Sequence, residues 1–274
     1  MESKYTKGDL KTVAEYLVER CAHLNRGGSP LQFGQSEFKY VKNVDFKVSV
    51  TKSLETNGFA VIKNYMSLDL TDTISRNISK FHDSIAAELS KTKTDQDKGK
   101  YLIVGSEHTK LKNYGDLVNF GKSVIRKSTN LEGGIDEGFV KYFNSDNLFT
   151  QHSNEINQYL RNPFLAEILS PLTDPASKFK NIDVYYNNSV TVTRGFHVDT
   201  DVTSARLFLY LTDVNDLDDG PYCYVHGSHS DPILYPLNRE IGKILNKNEL
   251  DCDFFNQDRI KKFVVPRGRL IVGF

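Results

Sequence analysis

The chain has 274 residues, and its 35 Lys and Arg balance its 35 Asp and Glu. That balance argues against a nucleic-acid binder or a polybasic membrane-surface protein, both of which carry a basic excess to meet phosphate. A hydrophobic share of 39% and an aromatic share of 11% argue against a disordered chain and supply apolar surface for a sizeable core.

Cys21, Cys223 and Cys252 sit at unrelated spacings and form no C-x-x-C. A disulfide framework or a cysteine zinc site is not expected, and a reducing, cytoplasmic compartment fits. The opening MESKYTKGDLK lacks the apolar stretch of a signal peptide. Apolar runs such as 207–211 are too short to span a bilayer. The expected partners are therefore a small-molecule substrate rather than nucleic acid or membrane.

In chain order, Leu10, Val13, Leu17 and Cys21 recur every three to four residues and predict an amphipathic helix over 8–24, broken at Gly27-Gly28-Ser29-Pro30. A second helix is expected over 48–56. The turn Asn57-Gly58 then leads into a buried strand, Phe59-Ala60-Val61-Ile62. Leu70, Ile74, Ile78, Phe81 and Ile85 mark a long helix over 69–89. Residues 91–100 are charged and read as an exposed loop, 101–104 as a strand, 115–126 as a helix and 132–138 as a loop. The aromatic-rich segment 139–149 reads as irregular. Two short helices follow at 153–160 and 163–170, the second opened by Pro163.

After about residue 174 the pattern changes to alternation: Ile182, Val184 and Tyr186; Val190 and Val192; Leu207, Leu209 and Leu211. Period two with β-branched and aromatic residues predicts strands. Asp218-Asp219-Gly220-Pro221 is a turn, and 222–225 and 262–265 read as further strands. The expected fold is α+β, one domain over 1–274, with a helix-rich N-terminal part (1–178) packed on a β-sandwich or jelly-roll core (179–274).

Of seven histidines, His197 stands out in His197-Val198-Asp199. On a strand, alternate residues share a face, so His197 and Asp199 point the same way. A neutral imidazole and a carboxylate so placed are two arms of a facial iron site of two histidines and one carboxylate. Around them lie Gly195-Phe196, the strand from Arg206, an acidic loop, Gly220-Pro221 and Tyr224-Val225-His226-Gly227-Ser228-His229.

This run, GFHVDTDVTSARLFLYLTDVNDLDDGPYCYVHGSH over 195–229, resembles the phytanoyl-CoA dioxygenase-like branch of the Fe(II)/2-oxoglutarate-dependent oxygenases. His226 stands where that family usually has Pro. Asn57-Gly58-Phe59-Ala60-Val61-Ile62-Lys63-Asn64 is similar to an early strand of the family, and the looser likeness extends over 48–274. The resemblance implies a double-stranded β-helix that holds Fe(II) through His197 and Asp199, with 2-oxoglutarate and dioxygen as co-substrates and hydroxylation of a small-molecule or carrier-linked metabolite as the reaction. Arg206 is a candidate for the co-substrate carboxylate. Tyr186 and Asn188 are candidates for the pocket, although Tyr185 and Asn187 occupy the other face and the sequence does not choose between them. His229 is expected to fix its loop by a hydrogen bond.

The family's third ligand, a histidine, and an arginine that pairs 2-oxoglutarate follow a strand like Arg267-Gly268-Arg269-Leu270-Ile271-Val272-Gly273-Phe274. The chain as written is expected to stop short of both, with its last apolar strand in want of a partner. The alternative is a non-catalytic jelly-roll binding module that lacks the third ligand. G-x-S-x-G, H-E-x-x-H and phosphate-loop patterns are absent from the sequence.

Overall fold

The computed structural model describes residues 12, 36–105, 120–127, 139–145, 148, 150–173, 182–187, 196, 204–230 and 257–274. Apart from Thr12, the expected helix over 8–24 lies outside them, as do the loop at 132–138 and the strand around Val190. The chain divides into two compact units. The first comprises Met1–Tyr65, Ala166–Pro175 and Arg194–Phe274, and the second Met66–Leu165 and Ala176–Thr193.

In the first unit, helix α1 (Val44–Asn57) starts where the Asn43 side chain accepts the Phe46 N–H at 2.8 Å. It stops at Gly58, which takes the left-handed conformation (φ 80°) and donates its N–H to the Leu54 carbonyl. Phe46, Val50, Ser53, Leu54 and Asn57 form its buried face. Strand β2 (Phe59–Lys63) follows at once. It pairs in parallel with β1 (Glu37–Lys39) and antiparallel with β11 (Leu270–Gly273), which pairs in turn with β8 (Arg206–Leu209). The sheet order is β1-β2-β11-β8. The last apolar strand is thus an interior one with both edges paired, contrary to the expectation that it lacks a partner. Leu270, Ile271 and Val272 are at most 1% exposed, and each such burial is worth about 1.5–3 kcal/mol.

A second layer, the antiparallel pair β9 (Cys223–Val225) and β10 (Ile260–Lys262), packs on this sheet. Phe59, Val61 and Ile271 meet Tyr224, Phe263 and Val265. The Phe59 and Phe263 rings meet edge to face, 5.1 Å apart at 85°. The ladder ends at Lys262, three residues before the expected strand does. Phe263 and Val265 still enter the core, held by the Phe263 N–H to the Tyr222 carbonyl and the Val214 N–H to the Val265 carbonyl.

The second unit is a five-stranded mixed sheet in the order β3 (Gln96–Asp97), β4 (Tyr101–Val104), β5 (Ser123–Lys127), β6 (Phe139–Phe143) and β7 (Val184–Asn187). Its register lines Ile103, Ile125, Tyr142 and Val184 into one row. Helix α2 (Leu68–Leu89) lays Phe81, Ile85 and Leu89 on that face. Leu102, Val104, Val124 and Phe143 form a second cluster on the other face. Helices α3 (Thr150–Leu160) and α4 (Pro163–Leu169) fall where expected, α4 opened by Pro163 with the Asn162 side chain accepting the Phe164 N–H.

Three local expectations change. Residues 123–127, expected as the end of a helix, form β5, and 139–143, expected as irregular, form β6. Each is rich in β-branched or aromatic residues and is paired on both edges, which outweighs local helical periodicity. Within the expected loop over 91–100, Gln96–Asp97 pairs with β4. Both units mix helix and sheet. The helix-rich N-terminal half does not hold, because strands β1–β6 interleave there with the helices. Among the described residues no helix is long and apolar enough to cross a membrane.

Gly58 and Gly99 both have φ of 80°. A Cβ at Gly58 would collide with the Tyr224 Oη and the His229 imidazole, whereas one at Gly99 meets nothing within 4 Å. Gly99→Ala should cost about 1 kcal/mol of stability for the backbone alone. Gly58→Ala should cost more, about 2–4 kcal/mol once the clash is added to the strain. Urea denaturation of the two variants checks the difference, and equal losses would contradict the crowding.

Candidate functional site

His197, Asp199 and Asn188 lie outside the described residues. What the structure places is the frame that follows them in sequence. Arg206 opens β8 opposite Gly273 of β11 and is exposed. By alternation it shares a face with Phe208, which packs on the aromatic cluster of the two layers.

Beyond β8 the acidic loop is used on backbone groups. Asp213 accepts the backbone N–H of Arg267 at 2.8 Å and its guanidinium at 2.5 Å. The Arg267 N–H, ahead of its charge, holds the Asp213 carboxyl below its ordinary range. Asp216 accepts the N–H groups of Asp218 and Asp219, and Asp219 accepts that of Asn215. These are local turns of the kind aspartates make with their own chain. Cys223, half buried, directs its thiol at the Pro221 carbonyl, and burial raises its pKa.

The Tyr224–His229 segment is fixed against the end of α1 by a chain of polar contacts. Ser53 donates to the Phe59 carbonyl at 2.8 Å, and the Asn57 amide nitrogen donates to the Ser53 Oγ at 3.1 Å. That orients the Asn57 carbonyl oxygen toward His226, whose Nε2 lies 2.8 Å away and donates. The Gly227 N–H donates to the Asn57 backbone carbonyl, and the Arg259 guanidinium donates to the His226 backbone carbonyl. His229 donates its Nε2–H to the Glu55 carbonyl at 3.0 Å. Its ring lies over that of Phe274. Burial is the first cause that lowers the pKa of both histidines. It also pushes Tyr224 up to about 12. His226 and His229 therefore stand neutral near pH 7, with Nε2 committed to the protein.

In the second unit Tyr186 and Tyr185 lie on opposite faces of the sheet. Tyr186 turns onto the α2 side of the sheet and stacks on His82, with ring centroids 4.0 Å apart and planes 16° apart. Tyr185 turns to the other side, where its hydroxyl meets the Lys141 ammonium at 2.7 Å. Lys141 is 9% exposed, pairs with Asp183 at 3.3 Å and lies over the Phe143 and Tyr185 rings. A buried ammonium needs such partners.

Among the described residues, no group of three or more His, Cys, Asp or Glu side chains is placed to hold a metal ion. No protein-family model matches the chain, and no curated protein matches it either.

Asn57, Ser53 and Arg259 carry the histidine contacts, yet the sequence marks only Asn57, and only as half of a turn with Gly58. Its partner is 169 positions away, and no local pattern encodes that distance. Lys141 gives a faint signal, a lone cation amid Phe139-Val140-Lys141-Tyr142-Phe143.

Asn57→Ala removes the His226 acceptor and should cost about 1–3 kcal/mol in urea denaturation. The pH dependence follows from the histidines. Their folded pKa values lie below the ordinary 6.5, so between the two values the unfolded chain binds more protons. Stability contributed by the neutral rings is then complete above about pH 6.5 and falls as pH drops below it. Denaturation midpoints at pH 7.5, 6.5 and 5.5 should decline in that order, and the decline should shrink in His226→Gln.

Proposed function

We propose that this chain is an Fe(II)/2-oxoglutarate-dependent dioxygenase of the phytanoyl-CoA dioxygenase-like type, a hydroxylase of a small-molecule or carrier-linked metabolite, built on a double-stranded β-helix. The carrying observation is the continuous run from Gly195 to His229, with His-x-Asp, an aromatic strand, an acidic loop, Gly-Pro and Gly-Ser-His in order. Two features of the first unit support it. The segment after the His-x-Asp pairs antiparallel with β11 as β8, and a second β layer packs on that sheet through a shared aromatic core. Two facing β layers are one requirement of a jelly roll.

His197 offers a neutral nitrogen and Asp199 an anionic oxygen, a donor pair that suits Fe(II) in kind and fills two of three protein positions. Iron and 2-oxoglutarate, when bound, would supply dioxygen activation coupled to succinate formation. The chain's own task would be to orient imidazole and carboxylate and to keep water from the reacting bond. The roles of Arg206, Tyr186 and Asn188 toward 2-oxoglutarate rest on their sequence positions around the motif. His229 holds the Gly-Ser-His turn to α1, which suits a supporting role rather than ligation.

A second reading is a non-catalytic jelly-roll binding module without the third ligand, since no histidine occurs between His229 and Phe274.

Anaerobic titration of the chain with Fe(II) and 2-oxoglutarate separates the two. A dioxygenase gives a visible metal-to-ligand charge-transfer band and a rise in Tm, both lost in His197→Ala and Asp199→Ala, because only a native-state site yields that linkage. The absence of a band and an unchanged Tm in the unmutated protein would favour the binding module.

A further inference from the structure

The first sheet carries a row of cations on the face it turns toward the β9–β10 layer. In β2, Phe59 and Val61 enter the aromatic core on that face, and Lys63 follows them by alternation. Lys39 of β1 is the register partner of Lys63, while Phe38 turns to the other face and meets Phe46 of α1. Leu270 pairs with Ile62, so Arg269 comes opposite Lys63. On its other side Arg269 accepts the N–H of Tyr210, which packs on the same core. Three basic residues therefore lie side by side across β1, β2 and β11, about 10 Å from first to last at their Cα atoms. A fourth comes from the facing layer: Lys261 of β10 is the register partner of Tyr224, which packs against the sheet.

One carboxylate serves this row. Glu37 Oε2 lies 2.7 Å from the Lys63 ammonium and 4.0 Å from the Arg269 guanidinium. Each charged group that acts on Glu37 is a cation, Lys63 first and then Arg269 and Lys261, and together they hold its carboxyl below its ordinary range although burial opposes them. Among the described residues, Glu37 is the only salt-bridge partner of the four cations. Like charges opposite one another on neighbouring strands repel. Lys63 and Arg269 are partly buried, so water and salt screen that repulsion less than on open surface. A bound anion would relieve what Glu37 leaves uncompensated.

We propose that Lys39, Lys63, Lys261 and Arg269 form an anion-binding site at the β1 edge of the first sheet, and that its ligand is a small molecule carrying two or more phosphate groups. The arginine fork takes two phosphate oxygens at once, and the lysines act as mobile point charges. A single phosphate group meets the cations of two neighbouring strands. A second is needed to engage a row that spans three strands and the facing β10. In the free protein Glu37 stands in for the ligand: its carboxylate takes up the Lys63 and Arg269 donors, and a phosphate must displace it from them. None of these residues belongs to the run over 195–229 that carries the dioxygenase reading.

Calorimetric titration and thermal denaturation of the full chain with pyrophosphate test this, at low ionic strength and without iron or 2-oxoglutarate. Inorganic phosphate and citrate serve as comparisons. Pyrophosphate should bind and raise Tm, and phosphate and citrate should each bind several-fold more weakly. Lys39→Ala and Lys261→Ala should each weaken pyrophosphate binding several-fold and leave the Tm of the free protein unchanged. Glu37→Gln should bind pyrophosphate several-fold more tightly, because the competing carboxylate is gone. An ion pair with a purely structural role would not give that gain. Absence of both heat and Tm rise with pyrophosphate, undiminished affinity in the double variant Lys39→Ala and Lys261→Ala, or weaker binding in Glu37→Gln would overturn the proposal. Citrate bound as tightly as pyrophosphate would overturn the assignment to phosphate.

Discussion

The first unit depends on the double-sided pairing of Leu270–Gly273. This strand joins β2, which leads directly out of α1, to β8, which follows the His-x-Asp segment in sequence. Two apolar strands side by side, Phe59–Lys63 and Leu270–Gly273, have no solvent face, so helix α1 must cover one side and the β9–β10 layer the other. Pairing on both edges also removes the exposed ladder that a terminal apolar strand would otherwise present. The contacts around Phe59, Tyr224 and Phe263 follow from that placement, because Phe59 and Ile271 emerge on the same face of neighbouring strands.

The turn at Gly58 extends the same constraint to the histidine segment. The chain reverses there within one residue, and the absence of a Cβ lets Tyr224 and His229 close on the backbone. The buried end of α1 then supplies acceptors: the Asn57 side chain for His226 and the Glu55 carbonyl for His229. A satisfied polar network in a low-dielectric setting is rigid, since each member lost leaves another group unpaired. The Gly-Ser-His turn is thus a fixed element of the first unit.

The second unit solves a different problem with similar means. A mixed sheet with apolar rows on both faces takes α2 on one side and keeps a buried lysine on the other. Among the described residues, His82 and Lys141 are two polar groups set into these faces. Each reaches a tyrosine hydroxyl, Tyr142 and Tyr185 respectively. The hydroxyl is neutral, short-ranged and able to donate or accept, so it satisfies an imidazole on one face and an ammonium on the other.

The sequence by itself determined the elements whose signal is local. Gly58 ends α1, the stripe from Leu70 to Ile85 makes α2, Pro163 opens α4, and the alternation at Val184–Asn187 and Arg206–Leu209 makes strands, whereas the Asn43 cap starts α1 at Val44, four residues before the expected helix over 48–56. It also carried the His197-Val198-Asp199 motif and the order of features around it, which is where the proposed chemistry resides. Tertiary structure alone decided what depends on distant partners. SVIRK and FVKYF became strands because both edges of each found a neighbour. Alternation puts Tyr185 and Tyr186 on opposite faces without saying which of them a helix covers; α2, about a hundred residues earlier in the chain, covers Tyr186 with His82. Likewise the partners of His226 and His229 lie on a helix far away in sequence, and hydrogen bonds between remote segments leave no periodic trace in either one.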